Sequence, residues 1–112
     1  MRGKTRVNGR VAMKEIRKAA EKIAAEVKVD KVILFGSYAY GQPRRGSDVD
    51  LLVITSTRQR HSELRYKLYT LLQDFPVGLD IVFRKPAQVS AARSRRDWFL
   101  QDVMTKGRVV YG

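Results

Sequence analysis

Three aspartates and a glycine–serine pair are the residues of this chain whose types and spacing could do chemistry. Asp48 and Asp50 stand two apart in the sequence. On an extended strand, positions i and i+2 project to one face, which puts their Cα atoms ~6–7 Å apart. Two carboxylates at that separation repel by roughly 2 kcal/mol at an effective dielectric of ~20. Asp80, at the head of a later apolar run, would raise that cost on joining them. Unless protonated, such a cluster wants cations, and all-oxygen ligation selects Mg2+ or Mn2+ over soft metals. The chain has no cysteine and one remote-looking histidine, His61, so a zinc site is not expected.

Gly36-Ser37 supplies a complementary half. Glycine lets the backbone approach a phosphate without a Cβ clash and permits positive φ where a turn needs it. Ser37 fits as the cap of a short helix through Tyr38-Ala39-Tyr40, its amides turned toward an anion and its hydroxyl able to donate to a phosphate oxygen. Carboxylates holding metals, with metals and amides holding a triphosphate, leave the α-phosphorus open to in-line attack and pyrophosphate free to depart. Taken singly, Asp48 after Gly46-Ser47 and Asp80 after Gly78 read equally well as turn residues. Their joint placement with Gly36-Ser37 favours a site.

The elements that must position these groups follow from the apolar pattern. Met13, Ile16, Ala20, Ile23, Ala24 and Val27 recur at helical spacing and predict an amphipathic helix. Val32-Ile33-Leu34-Phe35, stopped by Gly36, reads as a buried strand. Residues 48–54 read as a second strand, its later part apolar on both faces. Residues 61–75 carry Leu64, Leu68, Leu71, Leu72 and Phe75 on one side of a second long helix, which Pro76 and Gly78 end. Residues 80–83 form a third strand. Pro86 opens a helical region in which Ser94 and Asp97 resemble a capping box, and which ends at Gly107. Residues 108–111 suggest a short last strand.

Strand, helix and strand from 48 to 83 make a right-handed parallel crossover, while the first strand runs antiparallel to its neighbour. The expected fold is α/β (α+β): a small mixed sheet of three to four strands with helices packed on it. In that topology the end of strand one and the beginnings of strands two and three meet at one edge, beside the Gly36-Ser37 turn. Residues 1–12, with no periodicity, read as a flexible basic arm, and residues 13–112 as a single domain.

The 112 residues suit one domain, and no apolar stretch reaches the ~18–20 residues of a membrane span. The basic N-terminus lacks an apolar signal core, so a cytoplasmic location is the default expectation. Lys and Arg number 23 against 11 Asp and Glu, a net charge of +12. That field attracts polyanions without choosing among nucleotide, nucleic acid and an acidic protein surface. Arg44-Arg45, Arg58, Arg60 and the group Arg93, Arg95, Arg96 are scattered between apolar segments, as a solvated surface would have them.

Leu34-Phe35-Gly36-Ser37, ten residues, then Asp48-Val49-Asp50-Leu51-Leu52-Val53 resembles the signature of the DNA polymerase β-type nucleotidyltransferase superfamily. Asp80, in Gly78-Leu79-Asp80-Ile81-Val82, is similar to its third carboxylate. In length the chain resembles the minimal nucleotidyltransferases. The resemblance implies that Asp48 and Asp50 bind two divalent ions, Mg2+ or Mn2+. It gives Asp80 to the catalytic ion and to the proton of the attacking hydroxyl, and Gly36 and Ser37 to the phosphates of ATP or another triphosphate. It also implies an antitoxin that transfers AMP to a tyrosine of a HEPN-domain toxin. One departure stands out: the family turn often carries arginines after the serine, where this chain has Tyr38 and Tyr40, with Arg44 and Arg45 as candidate substitutes.

Two other functions compete. A partner- or nucleotide-binding module would neutralise by contact alone. Nucleic-acid binding through the +12 charge ranks last, because no aromatic platform or recognition helix accompanies the charge in the sequence. Trp98-Phe99 reads most simply as core, with an exposed interface anchor as the alternative. His61, opening a helix, is expected in solvent.

Overall fold

The computed structural model describes residues 6–7 and 10–112. The elements run β1 (Arg6–Val7), β2 (Arg10–Val11), α1 (Met13–Glu26), β3 (Val29–Phe35), α2 (Ser37–Tyr40), β4 (Val49–Thr55), α3 (His61–Leu71), β5 (Leu79–Arg84), α4 (Pro86–Ser90), α5 (Trp98–Lys106) and β6 (Arg108–Tyr111). A four-stranded mixed sheet has the order β5-β4-β3-β6. Strand β3 pairs antiparallel with β4 and β6, and β4 pairs parallel with β5 across the α3 crossover. This is the expected mixed α+β fold.

Strand alternation divides the core in two. Val49, Leu51 and Val53 of β4 join Val32, Leu34, Ile81 and Phe83 against Ile16, Ala20 and Ile23 of α1 and Leu64 and Leu68 of α3. Leu52 and Ile54 face the other way, with Ile33, onto Ala92 and onto Leu100 and Val103 of α5. Central β4 is therefore apolar on both faces from Leu51 to Ile54, as a strand covered on both sides must be. At the edge, β5 is tied to α3 by a side chain: the Ile81 N–H donates to the Tyr69 hydroxyl at 2.9 Å.

Three local details depart from expectation. The 1–12 arm is docked at its C-terminal end: Arg10–Val11 pairs with Arg6–Val7, Val11 is buried, and its N–H donates to the Tyr38 hydroxyl at 3.1 Å. The remainder of that arm, residues 1–5, 8 and 9, lies outside the described residues. The helical region after Pro86 is broken. Asp97, rather than Ser94, caps α5 by accepting the Leu100 N–H at 3.0 Å, while the Ser94 hydroxyl donates to the Ala91 carbonyl. The long second helix stops at Leu71 and passes through turns before β5. Among the described residues no helix is long and apolar enough to cross a membrane.

Candidate active site

The site lies at the edge where β3 ends and β4 and β5 begin. Asp50 is the second residue of β4 and alternates with Val49 and Leu51, both sunk in the core, so its carboxylate is turned to the opposite face. Its register partner on one side is Phe35 and on the other Asp80. Phe35, Asp50 and Asp80 thus form a row across three strands on one face. Asp48 lies just before β4 rather than within it, two residues from Asp50, and the adjacent Val49 N–H donates to the Gly78 carbonyl at 2.9 Å. Asp48 and Asp80 are exposed and Asp50 is partly covered.

Electrostatics records the crowding. The Asp50 carboxyl is pushed up from 3.8 to about 6, first by burial, then by the negative charge of Asp80, then by that of Asp48. Two glycines make room for these carboxylates. A Cβ on Gly36 would overlap Asp50 Oδ2, and one on Gly78 would overlap Asp48 Oδ1. Gly36 also has φ +77°, a left-handed conformation disfavoured for a side chain. It is Gly36, and not Ser37, that caps the single turn α2. Ser37 is its first helical residue, partly exposed beside the bend.

Among the described residues, no group of three or more His, Asp or Glu side chains is gathered closely enough to hold a metal ion. The donor set nevertheless fits a hard divalent cation in its chemistry. It is all carboxylate oxygen, Asp80 and Asp48 raise the cost of charging Asp50, and the missing Cβ atoms of Gly36 and Gly78 leave room for the Asp50 and Asp48 carboxylates.

The remaining candidates fall elsewhere. Tyr38 packs against the core and holds β2, as a structural residue would. Tyr40 is 48% exposed, with the Lys106 ammonium 5.9 Å from its ring centre. Arg44 and Arg45 are exposed in the loop before β4. His61 is exposed and lies 5.2 Å from the Phe83 ring centre. Sequence reasoning read Phe99 as core and missed that its ring, 39% exposed, meets Phe35, the register partner of Asp50, edge-on at 5.4 Å. It also missed Tyr69, which fixes the strand next to Asp80. Neither has a sequence signature, because each role depends on a partner from a distant element.

Comparison with known proteins decides the family. The profile of the Nucleotidyltransferase domain family matches residues 14–107, most of the chain. This chain belongs to that family. Over 59 residues it is 39% identical to the bifunctional uridylyltransferase/uridylyl-removing enzyme of Xanthomonas campestris pv. campestris, strains B100 and 8004. That match takes in 51% of this chain but only 7% of the enzyme. Among solved structures, this nucleotidyltransferase domain is similar to a toxin–antitoxin crystallised with AMP-PNP. The TM-score is 0.63 and the identity 25%, over 86% of this chain and 73% of that one. It also shares the fold of a candidate nucleotidyltransferase from Sulfolobus solfataricus. There the TM-score is 0.54 and the identity 19%, over 87% and 77% of the two chains.

Proposed function

We propose that this chain is a divalent-metal-dependent nucleotidyltransferase that moves AMP from ATP to a tyrosine hydroxyl of a HEPN-type toxin and so acts as its antitoxin. The observation that carries the reading is the row of Asp50 beside Asp80, with Asp48 close enough to share in raising the Asp50 carboxyl, at the Gly36 bend. Family membership supports nucleotidyl transfer, and the likeness to a toxin–antitoxin crystallised with AMP-PNP supports an adenine nucleotide and a toxin partner.

In this reading residues 13–112 form the catalytic domain. Asp48 and Asp50 would hold two Mg2+ or Mn2+ ions, with Asp80 as a further ligand. Bound divalent ions would neutralise charge on the triphosphate and on the departing pyrophosphate. Gly36 brings backbone close to the phosphates because it carries no Cβ, and Ser37 offers its hydroxyl there. Asp80, the exposed carboxylate of the register pair, is the group open to an incoming acceptor, and it takes the proton of the attacking hydroxyl. Phe35, the register partner of Asp50, is held edge-on by Phe99 at 5.4 Å.

Incubating the chain and its cognate partner with Mg2+ and ATP labelled at the α-phosphate tests this. Label should appear on the partner with wild type and be absent with Asp50→Asn. Lack of label on the partner with wild type would defeat the transfer reading.

A second reading is favoured by one observation: Tyr38 and Tyr40 stand after Ser37, where the resembled family turn often carries arginines. Here the chain neutralises its partner by contact alone. Asp80→Ala would then still protect cells from the toxin. Loss of protection with folding and complex formation intact would exclude contact as the mechanism.

A further inference from the structure

Among the described residues, few of the chain's positive charges are answered by ion pairs. The ion pairs found among the described residues engage Lys18, Lys67 and Lys106 and none of the arginines. Three of those arginines, Arg93, Arg95 and Arg96, are exposed together in the turn between α4 and α5. Arg96 has φ +55°, the single non-glycine position among the described residues with positive φ. Glycine or asparagine would take that conformation with less strain, so the turn retains a guanidinium where packing alone favours another residue. Beside it, Arg95 and Asp97 help line a recess of about 210 Å3 with Ala87, Gln88 and Ala91.

Directly after this turn, the Asp97 cap fixes the start of α5 and with it the direction of Trp98. Leu100 and Val103 face the sheet and are buried. At ~100° per residue, Trp98 lies on the opposite side of the helix, and it is 69% exposed. An indole open to solvent therefore follows three unpaired guanidinium groups within six residues of chain. Trp98 therefore offers an exposed aromatic face where the sequence suggested a core residue.

We propose that the 91–96 turn and Trp98 form a binding site for single-stranded nucleic acid, the arginines taking backbone phosphates and the indole stacking on an unpaired base. Guanidinium groups alone would accept any polyanion, an acidic protein surface included. An exposed indole beside them matches a ligand that carries flat, unstacked bases along a phosphate chain. A duplex keeps its bases stacked and offers Trp98 nothing. The proposal stands independently of nucleotidyl transfer, since it uses none of Asp48, Asp50 or Asp80.

Trp98 is the single tryptophan of the chain, so its fluorescence reports on this site alone. A short oligothymidylate titrated into the full chain at low salt is expected to quench that emission to saturation. With about three phosphates engaged, the logarithm of affinity should fall with the logarithm of salt at a slope of about −2. Followed by anisotropy of a labelled oligothymidylate, Trp98→Ala should weaken binding about tenfold. Arg95→Gln combined with Arg96→Gly, the latter relieving backbone strain, should weaken binding and flatten the salt slope. Absence of quenching at low salt would overturn the proposal, as would unchanged binding by Trp98→Ala or equal affinity for the duplex. Equal saturating quenching by polyglutamate would also overturn it and mark the patch as a surface for acidic protein.

Discussion

Asp50 and Asp80 are register partners in the parallel ladder between β4 and β5, two carboxylates side by side at the start of neighbouring strands. Nothing in the packing requires an acid at either position. Asp50 is partly covered and flanked by residues at the core, and its carboxyl is pushed up to about 6 by burial, by Asp80 and by Asp48. A carboxyl raised by burial and by neighbouring carboxylates in this way is a feature of functional sites more often than of structural ones.

The first expectation concerns stability against pH. The Asp50 carboxyl is raised in the folded state above its ordinary 3.8. Between pH 3.8 and about 6 the folded chain holds more of this proton than the unfolded chain does. Stability contributed by Asp50 is therefore present at the acid end, falls as pH rises through that window, and is level above it. Asp50→Asn should remove this dependence and raise the melting temperature of the metal-free protein at pH 7. Thermal melts from pH 4 to 8, comparing the two proteins, check the sign; a variant that melts lower at pH 7 would contradict it.

Divalent ions should act in the opposite direction. Mg2+ or Mn2+ is expected to raise the melting temperature of wild type, because binding to the folded state alone stabilises it by mass action. The gain should shrink below about pH 6, where a cation must displace the Asp50 proton. In Asp50→Asn it should be small at every pH. An equal gain in both proteins would place the ions elsewhere.

Gly36→Ala combines a left-handed backbone with a Cβ that overlaps the Asp50 carboxylate. The backbone alone costs about 1–3 kcal/mol, and relief of the overlap must move Asp50. Label transfer is expected to fall by more than tenfold while circular dichroism remains that of a folded chain. Retained transfer would mean that the bend does not need glycine.

Tyr69→Phe removes the acceptor of the Ile81 N–H, next to Asp80. An unsatisfied backbone donor costs about 1–3 kcal/mol, so a measurable drop in denaturant midpoint is expected. Transfer should fall less than in Asp80→Ala, because the carboxylate remains and only its strand is loosened.

Much of this architecture was legible in the chain. The apolar runs at 32–35 and 51–54 mark strands covered on both faces, and the helix between the runs at 51–54 and 80–83 is the crossover that makes β4 and β5 parallel. That topology, joined to the i, i+2 spacing of Asp48 and Asp50, is enough to bring the acids to one edge. Capping was less legible. Ser37 and Ser94 are good capping types, yet Gly36 and Asp97 hold those positions, since backbone geometry rather than residue preference decides where a turn begins. Val11 and Trp98 show a second limit. An isolated valine in a basic segment gives no sign of burial, and its place depends on the Tyr38 hydroxyl 27 positions away. Trp98 reads as core by type, but the Asp97 cap sets a helical phase in which Leu100 and Val103 take the sheet-facing side.

The most direct measurement is the binding of Mn2+ followed by electron paramagnetic resonance, with AMP-PNP present, in wild type and in Asp50→Asn. If Asp48, Asp50 and Asp80 form a divalent-ion site around a triphosphate, wild type should bind two ions per chain, their signals broadened by mutual proximity. Asp50→Asn should then bind at most one, and weakly. Wild type that binds no Mn2+ with the nucleotide, or a variant that binds it as tightly as wild type, would contradict the account.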